Sequence, residues 1–240
     1  MSSTQTAANE LRQILRHYGR NSYGTECPDI EIVRSFLSGV SDNERFGLFS
    51  SIRDSDNLTV LTKAAVRGHT ELCVTLFSSL PPSDRLKMVI VNKYTALHHA
   101  ACQGYTETVS GILNCLTAEQ QLKLLFTQDK YGDTALHEAA LWGRTETVKT
   151  LLDHLTPEQQ LKHCSTQNNY GNTELHVAAL QGHAETVKTL LDNLTPEQQL
   201  KLLSVHNKKG MTASDTMRTL KHYQIEADYR VNYRKFAIIT

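Results

Sequence analysis

Histidines, acids and cysteines are the residues of this chain with the chemistry to build a site. The stretch HEAAL, His137–Leu141, begins like a zinc-binding HExxH helix, in which two histidines four residues apart face one ion. Leu141 stands where the second histidine must be, so the metal reading fails. His98 and His99 are neighbours and therefore point to different sides of a helix. The first recurs in register as His137 and His176, each three residues after Thr95, Thr134 or Thr173. We read it as a group that bonds locally and fixes the turn entering a helix, as a buried polar ring must. Glu107, Glu146 and Glu185 also share one repeated position, early in a helix where negative charge meets the positive helix end. An acid copied once per repeat is a structural part. Cys27, Cys73, Cys102, Cys115 and Cys164 are odd in number and hold no CxxC pair, which suits free thiols rather than disulfides or zinc. No phosphate-binding glycine loop, GxSxG elbow or oriented Cys–His pair occurs. The expectation is no catalytic residue, no metal, no cofactor and no enzyme.

The elements around these residues repeat. TALH begins at Thr95 and Thr134, TELH at Thr173 and TASD at Thr212, each step being 39 residues. TVLTKAAVRGHTE at 59–71 precedes them by a 36-residue step, and 30–49 aligns more loosely with 184–203. In one unit, Thr134 opens a helix that Gly143 stops. A second helix from Glu146 carries Val148, Leu151 and Leu152 on one face. A third follows in LTPEQQLK, at 155–162 and 194–201, with LTAEQQLK at 116–123. Thr156 caps it, Pro157 suits its first position and Gln159 closes a capping box. Ser41 and Glu44 reproduce that box in the earliest copy. In LPPSDRLK, 80–87, Ser83 is expected to cap one turn later. Leu200 and Leu203 are expected to give this short helix its apolar side. In the connections TQDKYGDT and TQNNYGNT, Gly132 and Gly171 are expected to supply a positive φ, with Asn57 in that place earlier.

The pattern G-x-T-A-L-H-x-A-A-x-x-G-x-x-E-x-V-x-x-L-L, seen at 132–152 and 171–191, resembles the ankyrin repeat. The usual T-P-L-H proline is Ala96, Ala135 and Glu174 here, and the inserted LTPEQQLK helix stretches the unit to 39 residues. The resemblance implies an all-α solenoid of stacked helix pairs, with an extra short helix per repeat and hairpin-like loops. We divide the chain into an N-terminal cap with a degenerate repeat (1–54), repeats at 55–91, 92–129, 130–168 and 169–207, and a truncated repeat with a C-terminal cap (208–240). Such arrays imply a non-enzymatic scaffold or adaptor that binds proteins through a concave face. The alternative is a targeting or substrate-recognition subunit of a larger enzymatic complex, such as a ligase receptor or an effector.

Composition sets further bounds. Lys+Arg and Asp+Glu both number 25 in 240 residues, so no overall field favours nucleic acid or an anionic membrane. No apolar run approaches the ~18–20 residues that span a bilayer. The opening MSSTQTAANELRQILRHYGR lacks the apolar core of a secretory signal. A cytoplasmic monomer is expected, the nucleus remaining open. Between 132–163 and 171–202 only eight positions differ, and five of them fall at Asp133/Asn172, Ala135/Glu174, Glu138/Val177, Trp142/Gln181 and Arg144/His183. A stacked scaffold should repeat its packing parts and diverge where it presents side chains. The expected partner-binding row is therefore Lys63, Val66 and Arg67, then His99 and Gln103, then Glu138, Leu141 and Trp142, then Val177, Leu180 and Gln181. Tyr94, Tyr131 and Tyr170 stand on loops beside it. Trp142 is the only tryptophan, and aromatic anchors are over-represented at binding hot spots.

Overall fold

The computed structural model describes residues 3–14, 27–52, 58–90, 93–192 and 194–221. Asn57 and the segment RKFAIIT (234–240), part of the expected C-terminal cap, lie outside them. The described residues form sixteen helices and no sheet, in two compact units divided between Thr127 and Gln128.

The first unit holds α1 (Ser3–Ile14), α2 (Ile30–Ser38), α3 (Asp42–Ser51), α4 (Val60–Val66), α5 (Thr70–Ser78), α6 (Pro82–Val89), α7 (Ala96–Gln103), α8 (Thr106–Asn114) and α9 (Ala118–Leu125). Like parts stack on like: α4 on α7, α2 on α5 on α8, and α3 on α6 on α9, while α1 packs against α2 and α3. The core between these layers is built from Leu11, Phe49, Leu61, Leu76, Phe77, Leu97 and Ile112, all fully buried. The second unit repeats the plan with α10 (Ala135–Leu141), α11 (Thr145–Asp153), α12 (Pro157–Cys164), α13 (Glu174–Gln181), α14 (Ala184–Asp192), α15 (Pro196–Leu203) and α16 (Ala213–Lys221). Here α10, α13 and α16 stack as first helices, α11 and α14 as second helices, and α12 and α15 as spacer helices. Each unit therefore has three helical layers where a plain helix-pair repeat would have two.

The spacer helix starts as its residues dictate. Thr117, Thr156 and Thr195 accept from the backbone of Gln120, Gln159 and Gln198, whose side chains bond back to the threonine N–H groups. Ser41 and Glu44 close the same box on α3. One expectation fails and one holds only in part. Ser83 caps nothing, because α6 already begins at Pro82, with Pro81 before it and no side-chain cap; two prolines preset the first turn instead. The apolar side of α15 is led by Leu202, fully buried, with Leu203 half-buried, while Leu200 is exposed. The helix is turned so that its second glutamine also faces inward. Gln160 Nε2 donates to Leu152 O at 2.9 Å and Leu155 O at 3.3 Å, and Gln121 and Gln199 make the same two bonds in their own repeats. Arg45 and Arg85 reach the same helix end with guanidinium groups, Arg45 donating to Leu37 O and Arg85 to Ser78 O and Leu80 O. This residue closes the C-terminus of the preceding second helix, whose last carbonyls have no partner within the helix.

Candidate functional site

The entry to each first helix is a threonine–histidine clasp. Thr95, Thr134 and Thr173 hold the Nδ1 atoms of His98, His137 and His176 at 2.8, 2.9 and 2.8 Å through Oγ1, and their N–H groups donate to the same atoms. The other ring nitrogen spans to the following loop: His137 Nε2 donates to Asn172 O and His176 Nε2 to Met211 O, both at 3.1 Å. Thr212 finds Asp215 in place of the histidine, with Oγ1 to Oδ2 at 2.7 Å. The recurring histidine is thus a clasp, as its register indicated.

The loops of the second unit form a ladder. Asp129 Oδ1 accepts from the N–H groups of Tyr131 and Asp133, and Asn168 and Asn207 do the same for their own turns. Tyr131 O then accepts from Asn169 N at 2.9 Å, and Tyr170 O from Lys208 N at 3.1 Å. Gln128 and Gln167 reach across to Gln167 O and His206 O. Gly132 and Gly171 carry φ of 79° and 76°, as expected. A Cβ on Gly171 would also lie 2.6 Å from Lys208 N, so the ladder itself requires glycine there. With the backbone tied down, Tyr131 and Tyr170 stand exposed at the loop tips, the latter 60%. Lys130 Nζ lies 4.7 Å from the centre of the Tyr131 ring.

The expected partner-binding residues fall into three groups. In the first unit Lys63, Val66, Arg67, Tyr94 and His99 are half-buried and Gln103 is exposed. Tyr94 meets the His99 ring edge-on at 4.5 Å, and burial lowers the His99 pKa to about 4, so this ring is neutral at pH 7. In the second unit Tyr131, Tyr170, Trp142, Leu180 and Gln181 are exposed and Leu141 is half-buried. Glu138 and Val177, only 9% and 7% exposed, do not belong to a presented row. The reason is visible in α10, where every residue from Ala135 to Ala140 is buried. The layer turns outward only at its C-terminal turn, where Trp142 caps α10 and is 53% exposed.

Glu174, which differs from Ala135 between the two copies but lies outside the expected row, is fully buried. Oε1 lies 3.1 Å from both His137 Nδ1 and His163 Nδ1, and accepts from Thr134 Oγ1 at 3.4 Å. Oε2 has no hydrogen-bond partner among the described residues. Burial alone would raise the Glu174 pKa, but His137 and His163 more than offset it and hold the carboxyl ionised. Burial would lower the His137 pKa, and the Glu174 carboxylate, with Asp133, raises it instead. The signal lay in the sequence: His163 stands where Leu124 and Leu202 stand in other copies, and Glu174 where Ala96 and Ala135 stand. The two exceptions are partners. The cluster is sealed from solvent, so its chemistry serves the junction between repeats. Among the described residues, no group of three or more His, Cys, Asp or Glu could hold a metal ion, and no helix is long and apolar enough to cross a membrane.

A family model described as Ankyrin repeats (3 copies) matches residues 25–123, 63–163 and 117–202. The chain belongs to the ankyrin-repeat family. Nothing among curated proteins matches it. As ankyrin repeats are modules of protein–protein interaction, the array has the architecture of a binding protein. Among the described residues, Tyr131, Tyr170, Trp142 and Leu180 are the large apolar side chains exposed on the loops and first helices of the second unit.

Proposed function

We propose that the chain is a non-enzymatic scaffold or adaptor, acting as a cytoplasmic monomer, and that partner proteins dock on its loop-and-first-helix layer. This is the side that would line the concave face of a repeat stack. The observation that carries the reading is Trp142. It is the only tryptophan of the chain, and it is more than half exposed on a layer that is otherwise closed along α10. An exposed indole at the end of a rigid, buried helix gives a large apolar contact at little cost in conformational freedom, the character of an interface anchor.

Trp142→Ala should weaken capture of partners from native lysate by about tenfold or more, with the midpoint of thermal unfolding within a few degrees of wild type. A variant that unfolds early while its folded fraction captures partners normally would make Trp142 a packing residue and sink the assignment.

A further inference from the structure

The chain is neutral overall, but the loop-and-first-helix layer of residues 128–221 sorts its charges by depth. Asp129, Glu138 and Glu174 are buried. Asp133 and Asp215 are half-buried and spent on local bonds, Asp133 Oδ1 accepting from Asn168 Nδ2 at 2.8 Å and Asp215 clasping Thr212. Lys130, Lys208 and Lys209 are exposed, and so is Arg218, which lies 3.7 Å from Asp215 Oδ1 as an ion pair. The acids of this layer build the turns and the repeat junction, while its bases reach water. The Glu174 carboxylate is engaged inside the junction, 3.1 Å from His137 Nδ1 and from His163 Nδ1. What a partner meets is the loop-tip lysines Lys130, Lys208 and Lys209, set among Tyr131, Tyr170, Trp142 and Leu180.

Resting on the partner-binding reading above, we infer that the ligand of this layer is an acidic protein segment that also carries aliphatic or aromatic side chains. Opposite charge speeds encounter and rejects basic competitors, and the exposed aromatic and leucine side chains supply the contact area that holds the complex. Nucleic acid is the lesser fit. A phosphate backbone calls for a dense run of Lys and Arg, and here the exposed cations are few and separated by apolar surface.

The test is selection of displayed random 12-residue peptides on the full 240-residue chain at ~0.1 M salt. Enriched peptides are expected to be net acidic with interspersed aliphatic or aromatic residues. A synthesised, labelled winner should lose about tenfold or more in affinity with Lys208→Glu/Lys209→Glu, and should bind Lys208→Ser/Lys209→Ser at an intermediate strength. Circular dichroism checks that both variants stay folded. Enriched peptides that are neutral or basic, or that ignore the lysine substitutions, overturn this inference and leave the binding reading standing. Absence of any enrichment that depends on Trp142 overturns the binding reading and this inference with it. Tighter binding of a labelled 20-nucleotide single strand, or of phosphatidylserine vesicles, than of every selected peptide also overturns the proposal.

Discussion

Two junctions in the second unit share one backbone plan and differ in what fills them. Where α12 meets α13, His163, Glu174 and His137 form a buried polar cluster around one carboxylate. One repeat on, where α15 meets α16, the same positions are Leu202, Ala213 and His176, and the first two are fully buried hydrocarbon. The clasp of the following loop is unchanged, His137 to Asn172 O and His176 to Met211 O. The repeat thus tolerates either filling, provided both partners change together. A buried charge pair seldom stabilises more than the apolar residues it replaces, but each half is costly without the other.

Breaking the cluster from one side should have the largest effect. His163→Leu leaves the Glu174 carboxylate buried with an unpaired Oε2 and one fewer donor, and should cost about 3 kcal/mol in chemical denaturation. Leu202→His, which puts an imidazole beside Ala213 with no acid, should cost about 2–3 kcal/mol by the same measurement. The double variant Glu174→Ala/His163→Leu converts the ionic junction into the apolar one. It should return to within about 1 kcal/mol of wild type, with a coupling between the two sites of about 1–3 kcal/mol. A double variant no better than the worse single one would show that the two junctions are not interchangeable.

Acidity sharpens the same contrast. The folded pKa of His137 lies above its ordinary value of 6.5, so its stabilisation is complete below that value and is lost as pH rises through the folded pKa. Glu174 is held below its ordinary 4.5, so its contribution is complete above 4.5 and is lost on acidification. Relative to the double variant, wild type should gain most between about pH 4.5 and 6.5 and lose that gain as the pH rises through the raised His137 pKa, in thermal melts run across the range. In chemical terms, protonated His137 turns Nδ1–H to Glu174, while neutral His137 accepts there from Thr134 N–H. Parallel pH profiles for the two proteins would contradict the ionic reading. The smallest effect is expected at a part common to every repeat. Thr156→Ala removes the cap of α12 and should cost about 1 kcal/mol.

What was legible in the residues was local. Thr156 with Gln159, Ser41 with Glu44, and Thr134 with His137 each close within three positions, so short-range chemistry determines them. The second glutamine of each spacer, Gln160, was silent because its bonds run back to Leu152 and Leu155, and that closure appears only once the helices have packed. Divergence between copies marked Trp142, which is exposed, and equally Glu138, Val177 and Glu174, which are not. A difference between repeats carries no sign for inside or outside. Only the joint change at 163 and 174 distinguishes a repacked junction from a presented side chain, and seeing it requires comparing positions across two elements.

The double bond from Gln160 to its own second helix has one more consequence. The spacer is anchored to the repeat that encodes it, and only afterwards to the spacer next door, as by Gln120 Nε2 on Pro82 O in the first unit. The 39-residue unit therefore travels with its own fastening. Duplicating 130–168 in tandem, with His163→Leu in the upstream copy so that the new junction pairs leucine with Ala135, would lengthen the array while every added spacer arrives already moored.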